Sequence, residues 1–153
     1  MNPEQAEPST YSSPFHSAVE EYLSHAGHAF TIDQFKSRAV YRYSVKTEFG
    51  DDPVAVEIFI KPYSDEFSLF AYASKKIPEP RRLEVLEMLT PQTFKRDGLR
   101  EELELSTGAV RCGFASCLME ECVSPNRLRQ MEQRSAIMMS TMMPMLANYC
   151  EDL

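Results

Sequence analysis

The stretch VYRYSVKTEFGDDPVAVEIFIKPYSDEFSLFAYA, residues 40–73, holds three runs of alternating character separated by two turn signals. Tyr41, Tyr43, Val45, Thr47 and Phe49 share one parity, with Arg42, Ser44, Lys46 and Glu48 on the other. Successive side chains of an extended strand point to opposite faces, so this pattern predicts a strand with one apolar side. Gly50-Asp51-Asp52-Pro53 supplies turn chemistry, after which Val54, Val56, Ile58 and Ile60 resume the alternation against Glu57 and Lys61. Pro62 to Glu66 turns the chain again. Phe67, Leu69, Ala71 and Ala73 then alternate with Ser68, Phe70 and Tyr72, so both faces of this third run carry apolar groups. Three strands joined by short turns predict an antiparallel meander.

Outward from the meander the period changes. Ser13-Pro14 is a helix start, and Phe15, Ala18, Val19, Tyr22, Leu23 and Ala26 form one apolar stripe at helical spacing, ended by Gly27. Residues 28–35 offer a short strand with Phe30 and Ile32 facing one way. On the far side, Glu79-Pro80 opens a second helix over 80–95, with Leu83, Leu86 and Leu89 on its buried side beside Val85 and Met88, and with Thr90-Pro91 ending or kinking it. A hairpin follows: 100–106 and 109–119 around Thr107-Gly108, with Val110, Cys112, Phe114 and Leu118 facing the core. Ser124-Pro125 repeats the cap signal before a long helix to about Tyr149. Antiparallel runs with helices between them predict an α+β fold, not a parallel doubly wound sheet. We expect residues 1–13, rich in Pro, Ser and Glu, to form a flexible N-terminal tail, and residues 14–153 to form a single domain.

Formal net charge is −7 over 153 residues. Residues 1–27 hold four acids and no Lys or Arg, residues 28–76 balance seven acids with seven bases, and residues 77–153 carry twelve acids and nine bases. An acidic chain without a basic stripe repels a phosphate backbone and an anionic bilayer surface, so neither nucleic acid nor membrane is an expected partner. No run approaches a membrane span, and MNPEQAEPSTYSS lacks the basic and apolar regions of a signal peptide, which predicts a cytoplasmic protein with reduced cysteines.

Residue types that carry chemistry are present, but their spacing does not assemble them. His16 and His25 lie nine residues apart on one helix, about 180° around its axis, and read with His28 as solvated side chains. Cys112, Cys117 and Cys122 are evenly spaced, yet the odd offset between the first two on one strand sends them to opposite faces; Cys150 stands alone. Glu20-Glu21, Glu101-Glu102 and Glu120-Glu121 are adjacent pairs, which point apart rather than converge. No GxGxxG or GxxxxGK[ST] loop occurs. The reading is a protein with no catalytic residues, no cofactor and no metal.

The last helix is unusual. It holds six of the nine methionines, Met131, Met138, Met139, Met142, Met143 and Met145. Positions 128, 131, 135, 138, 142, 145 and 149 form a stripe broken only by Ser135, and Ala136, Met139, Met143 and Leu146 form a second beside it. Either the helix packs wholly on the sheet with Met filling gaps, or the stripe is too wide for one sheet face. In the second case Met131, Met138, Met139, Met142, Met145 and Tyr149 are the candidate surface for a dimer seam or a partner. Pro144 is expected to kink the last turns.

Two stretches carry a family resemblance: VEIFIKPYSDEFSLFAYASKKIPEPRRLEVLEML (residues 56–89) and SPNRLRQM (residues 124–131). With the element order they resemble the YbjN-like family of bacterial proteins, provisionally labelled sensory-transduction regulators and similar in fold to type III secretion chaperones. The resemblance spans about residues 14–150 and implies an α-β-β-β-α-β-β-α domain, often dimeric, that binds polypeptide. It brings no catalytic residues, and the Met-rich helix with Pro144 departs from it. The expected function is a non-enzymatic protein-binding module, chaperone-like or regulatory, forming a homodimer in the bacterial cytosol. The alternative is a small-molecule binder or enzyme with a pocket between sheet and last helix.

Overall fold

The structure, a computed structural model, describes residues 14–35, 38–61, 66–93, 98–118 and 124–150; the tail 1–13 and Cys122 lie outside them. Helix α1 (Pro14–His25) stops at Gly27, whose φ of 74° is the left-handed turn that glycine adopts freely. There the His28 N–H donates to the Leu23 carbonyl at 3.0 Å and the Gly27 N–H to that of Ser24 at 3.2 Å, closing the helix end. Strands β1 (Thr31–Phe35), β2 (Arg38–Val45), β3 (Val54–Ile60) and β4 (Glu66–Tyr72) follow. A 3-10 turn at Glu79–Arg81 leads into α2 (Arg82–Thr93), then β5 (Arg100–Leu103), β6 (Val110–Leu118) and α3 (Pro125–Asn148). All strand pairs are antiparallel, in the order β1-β2-β3-β4-β6-β5.

Parity decides which face is buried. Tyr41, Ile58, Leu69 and Phe114 lie opposite one another across four strands, and all four are buried. The same cluster takes in Val19 and Leu23 of α1, Val85 and Leu89 of α2, and Leu128, Met131, Ala136, Met139, Met142 and Leu146 of α3. The helices therefore cover one face of one sheet, a two-layer α+β domain.

Three details differ from the sequence reading. The meander has four strands, because residues 31–35 pair fully with β2, so the element order is α-β-β-β-β-α-β-β-α. Ile32 nonetheless stays 42% exposed, since β1 is the sheet edge. In α2 the buried positions are Val85 and Leu89, and Leu83, two residues before Val85 and hence about 200° around the axis, is 67% exposed. Within the expected span of 80–95, α2 runs past Pro91 to Thr93 despite the missing N–H. Lastly, β6 changes register between its pairings Leu69↔Phe114 and Phe67↔Cys117, a bulge that resets parity. Cys117 therefore packs on the core beside Phe67, on the same face as Cys112.

Among the described residues no helix covers the other sheet face, and most of its charges pair with one another. Arg42 bridges Glu57 at 2.8 Å and Asp33 at 3.3 Å, Lys61 meets Glu66 at 2.8 Å, and Arg111 meets Glu102 at 2.6 Å. The Arg111 guanidinium also stacks 3.9 Å from the Phe70 ring centre, which leaves Phe70 only 3% exposed without any covering layer. Opposite Phe70 stands Gly113, where a methyl group would run into the Leu69 carbonyl and the Phe70 Cα. Gly113→Ala should therefore lower stability by roughly 2–3 kcal/mol through overpacking against backbone. Gly27→Ala, with open space around the added carbon, should lose only the roughly 1–2 kcal/mol of the left-handed conformation. Urea midpoints of the two variants check the ranking.

Candidate functional site

Helix α3 begins where the Ser124 hydroxyl accepts the Arg127 N–H at 3.2 Å, with Pro125 in the first turn, and it runs through Pro144 to Asn148. It lies across β3, β4 and β6, wide enough a floor to bury most of both apolar stripes. Met131, Met139 and Met142 are buried, so these three of the six candidate surface residues are core and not a seam. The reason is that three strands, rather than one narrow ridge, face the helix. Met138, Met145 and Tyr149 are half-buried. Tyr149 is already engaged, with Arg81 stacked 4.7 Å from its ring centre and its hydroxyl 3.5 Å from Met88 Sδ. Ser135, the polar break in the stripe, is satisfied locally by donating to the Met131 carbonyl at 2.8 Å.

What α3 offers to solvent is the next stripe around, and it forms one wall of a groove. The opposite wall is the β2–β3 turn. Strand β2 ends at Val45, two turns of alternation earlier than the sequence suggests, because Thr47 leaves the ladder for α3. Its hydroxyl pairs with the buried Ser140 hydroxyl at 2.6 Å and accepts the Phe49 N–H at 3.4 Å. That chain of bonds holds the Phe49 backbone while its side chain stands 61% exposed. Phe49 separates two wide-mouthed depressions. One, of about 390 Å³, lies between Val45–Phe49 and Glu132, Ala136 and Ile137; Ile137 is itself 38% exposed. The other, of about 410 Å³, lies between Phe49–Asp52, Ala73–Lys75 and the Ser140–Cys150 end of the helix. Pro144 lines this second depression and, lacking an N–H, leaves the Ser140 carbonyl without its helical donor.

Beneath the first depression lies a polar knot. Glu132 is 4% exposed on the buried ridge of α3. His28 Nε2 lies 3.2 Å from its Oε1, an electrostatic contact, since that oxygen has no hydrogen-bond partner among the described residues. The His28 ring packs 5.0 Å from the ring of Tyr43. Burial, reinforced by the Glu132 carboxylate, holds the Tyr22 and Tyr43 hydroxyls well above the ordinary phenol range. Burial and Glu20, which accepts the Tyr41 hydroxyl at 3.1 Å, do the same for Tyr41. The knot joins α1, β2 and α3.

The histidines thus part company. His25 is exposed beside Glu21, whereas His16 is buried and His28 only 19% exposed at its side chain, so the reading of all three as solvated holds for His25 alone. Of the acidic pairs, Glu101 is buried and Glu102 faces the open side toward Arg111, pointing apart as strand neighbours do. Among the described residues no three His, Cys, Asp or Glu side chains converge as metal ligands, and no helix is long and apolar enough to cross a membrane.

No protein-family model matches the chain, and no curated protein or solved structure matches it either.

The tyrosines give a pH test. With folded-state values raised above the ordinary phenol value near 10, they favour the fold fully below pH of about 10, and that contribution is lost as pH rises beyond it. An ultraviolet titration should therefore show Tyr22, Tyr41 and Tyr43 ionising together with unfolding, as one cooperative alkaline step. Smooth ionisation of all seven tyrosines in a chain that stays folded would contradict this.

Proposed function

We propose that this chain is a non-enzymatic protein-binding module, chaperone-like or regulatory, that works in the bacterial cytosol and receives its partner along α3. The observation that carries the reading is Phe49, a large aromatic side chain 61% exposed on a backbone pinned to α3. An aromatic whose backbone is already held costs less further entropy on binding than one on a free loop, which suits an interface anchor. The depressions beside it open to solvent along the helix, which suits a polypeptide laid along it better than an enclosed small molecule. Half-buried Met143 adds adaptable apolar surface to the groove. The resemblance to the YbjN-like family, with its expectation of polypeptide binding, points the same way.

Self-association is part of the proposal in a changed form. With Met131, Met139 and Met142 in the core, a two-fold pair would form along the exposed edge of β1, around Ile32. Light scattering at tens of micromolar reads the mass.

The test of the binding role compares native-cytosol partners captured by the wild type, by Phe49→Asp and by Leu83→Asp. Both substitutions fall on exposed side chains and should change stability by only about 0.5 kcal/mol. A partner retained by Leu83→Asp and lost by Phe49→Asp is the expected outcome. An identical capture by all three would remove the α3 groove from the function.

A further inference from the structure

We propose that the α3 groove takes a cationic amphipathic helix of the partner protein, its apolar side astride Phe49; this rests on the protein-binding role given above.

Charge is the first ground. The two depressions are lined by Glu48, Asp51, Asp52 and the buried Glu132 against only Lys46 and Lys75. The three exposed carboxylates form no ion pair among the described residues. The uncovered sheet face is the contrast, because there Arg42, Lys61 and Arg111 are each matched to acids across neighbouring strands. A face whose charges are largely paired asks less of a ligand, whereas unpaired carboxylates beside apolar surface favour an incoming cation. The chain's net charge of −7 adds a field that draws basic segments in and repels acidic ones.

Shape and chemistry of the lining are the second ground. Phe49, Ile137, Met143, Pro144 and Ala147 give an apolar row along the groove. From Glu132 to Asn148 α3 offers about 24 Å at 1.5 Å per residue, the length of roughly 16 helical residues. The groove is walled by a helix and by turns, with no free strand edge in it, so strand addition is not available to the ligand. Apolar anchors at three- and four-residue spacing, with Lys or Arg on the flanks, match an acidic, Met-containing groove.

The test uses the full chain and three labelled peptides of about 16 residues. The first has Leu at helical three- and four-residue spacing with Lys elsewhere; the second keeps the Leu pattern with Glu in place of Lys; the third scrambles the Leu positions of the first. Fluorescence anisotropy should show the first binding, with affinity falling about tenfold or more between low and high salt. Phe49→Asp and the double variant Asp51→Asn, Asp52→Asn should each weaken it by about tenfold, with circular dichroism confirming that both fold. Equal binding of the Glu peptide, still dependent on Phe49, overturns the cationic assignment and leaves the protein-binding role standing. Equal binding of the scrambled peptide reduces the effect to general attraction to an acidic chain and overturns the proposal. If no peptide binds while a Phe49-dependent cellular partner exists, the proposal falls and the module stands; if neither exists, both fall.

Discussion

Met139 and Ala136 sit on the middle of the sheet with no exposure at all, in one cluster with Ile58, Leu69 and Cys112. That contact between α3 and the central strands fixes the rest. It sets the height of α3 above the sheet, hence where Ser140 meets Thr47, hence where Phe49 stands. It also determines that Glu132, four residues after Leu128 on the same ridge, enters the interior and must find Tyr22, Tyr43 and His28 around it. A buried carboxylate is costly unless charge or hydrogen bonds surround it, so three elements converge there by necessity.

The two faces of the molecule solve opposite problems. On the bare side of the sheet no described helix hides Phe70, and an arginine covers it instead: Phe70 lies under Arg111, which is in turn held by Glu102 and by the Tyr72 hydroxyl at 3.4 Å. Exposed ion pairs of this kind contribute little to stability individually, but they keep an open face from being sticky. Along α3 the reverse holds. There the turn presents an aromatic ring outward, its backbone bonds are spent on holding it so, and the exposed carboxylates of Glu48, Asp51 and Asp52 form no ion pair among the described residues.

The fold was legible wherever a single period governed burial. The alternation of Val54, Val56, Ile58 and Ile60 named the core face of β3 without error, and Gly27 and Ser124 marked helix ends by local chemistry alone. What escaped were features set by neighbours. Leu83 looks like a core residue by its spacing to Leu86, yet the 3-10 turn before it and the position of Val85 turn it outward. The bulge in β6 needs a partner strand to exist, and it reversed the parity argument applied to Cys112 and Cys117. Phe49 carries the right alternation for a buried strand residue; only the pull of Ser140 on Thr47 takes it out of the sheet. Glu132 did leave a trace, a charge on the apolar side of a helix, but Tyr22, Tyr43 and His28 gave no sequence sign of being its neighbours.

The strand order has a consequence for how the chain reaches its folded state. Strands β1 to β4 pair with their immediate successors across short connections, so the loops closed are small and the meander can form early. The partner of Leu69 in β4, however, is Phe114, on the far side of α2 and of β5. Until that hairpin arrives, the inner edge of β4 has neither its hydrogen-bond partner nor the Phe114 side of the core, and α3 cannot seat on a floor still missing a third of its width. Closure of β4 onto β6 is thus the non-local event on which completion waits, and the interval before it is when the unprotected edge is open to other chains.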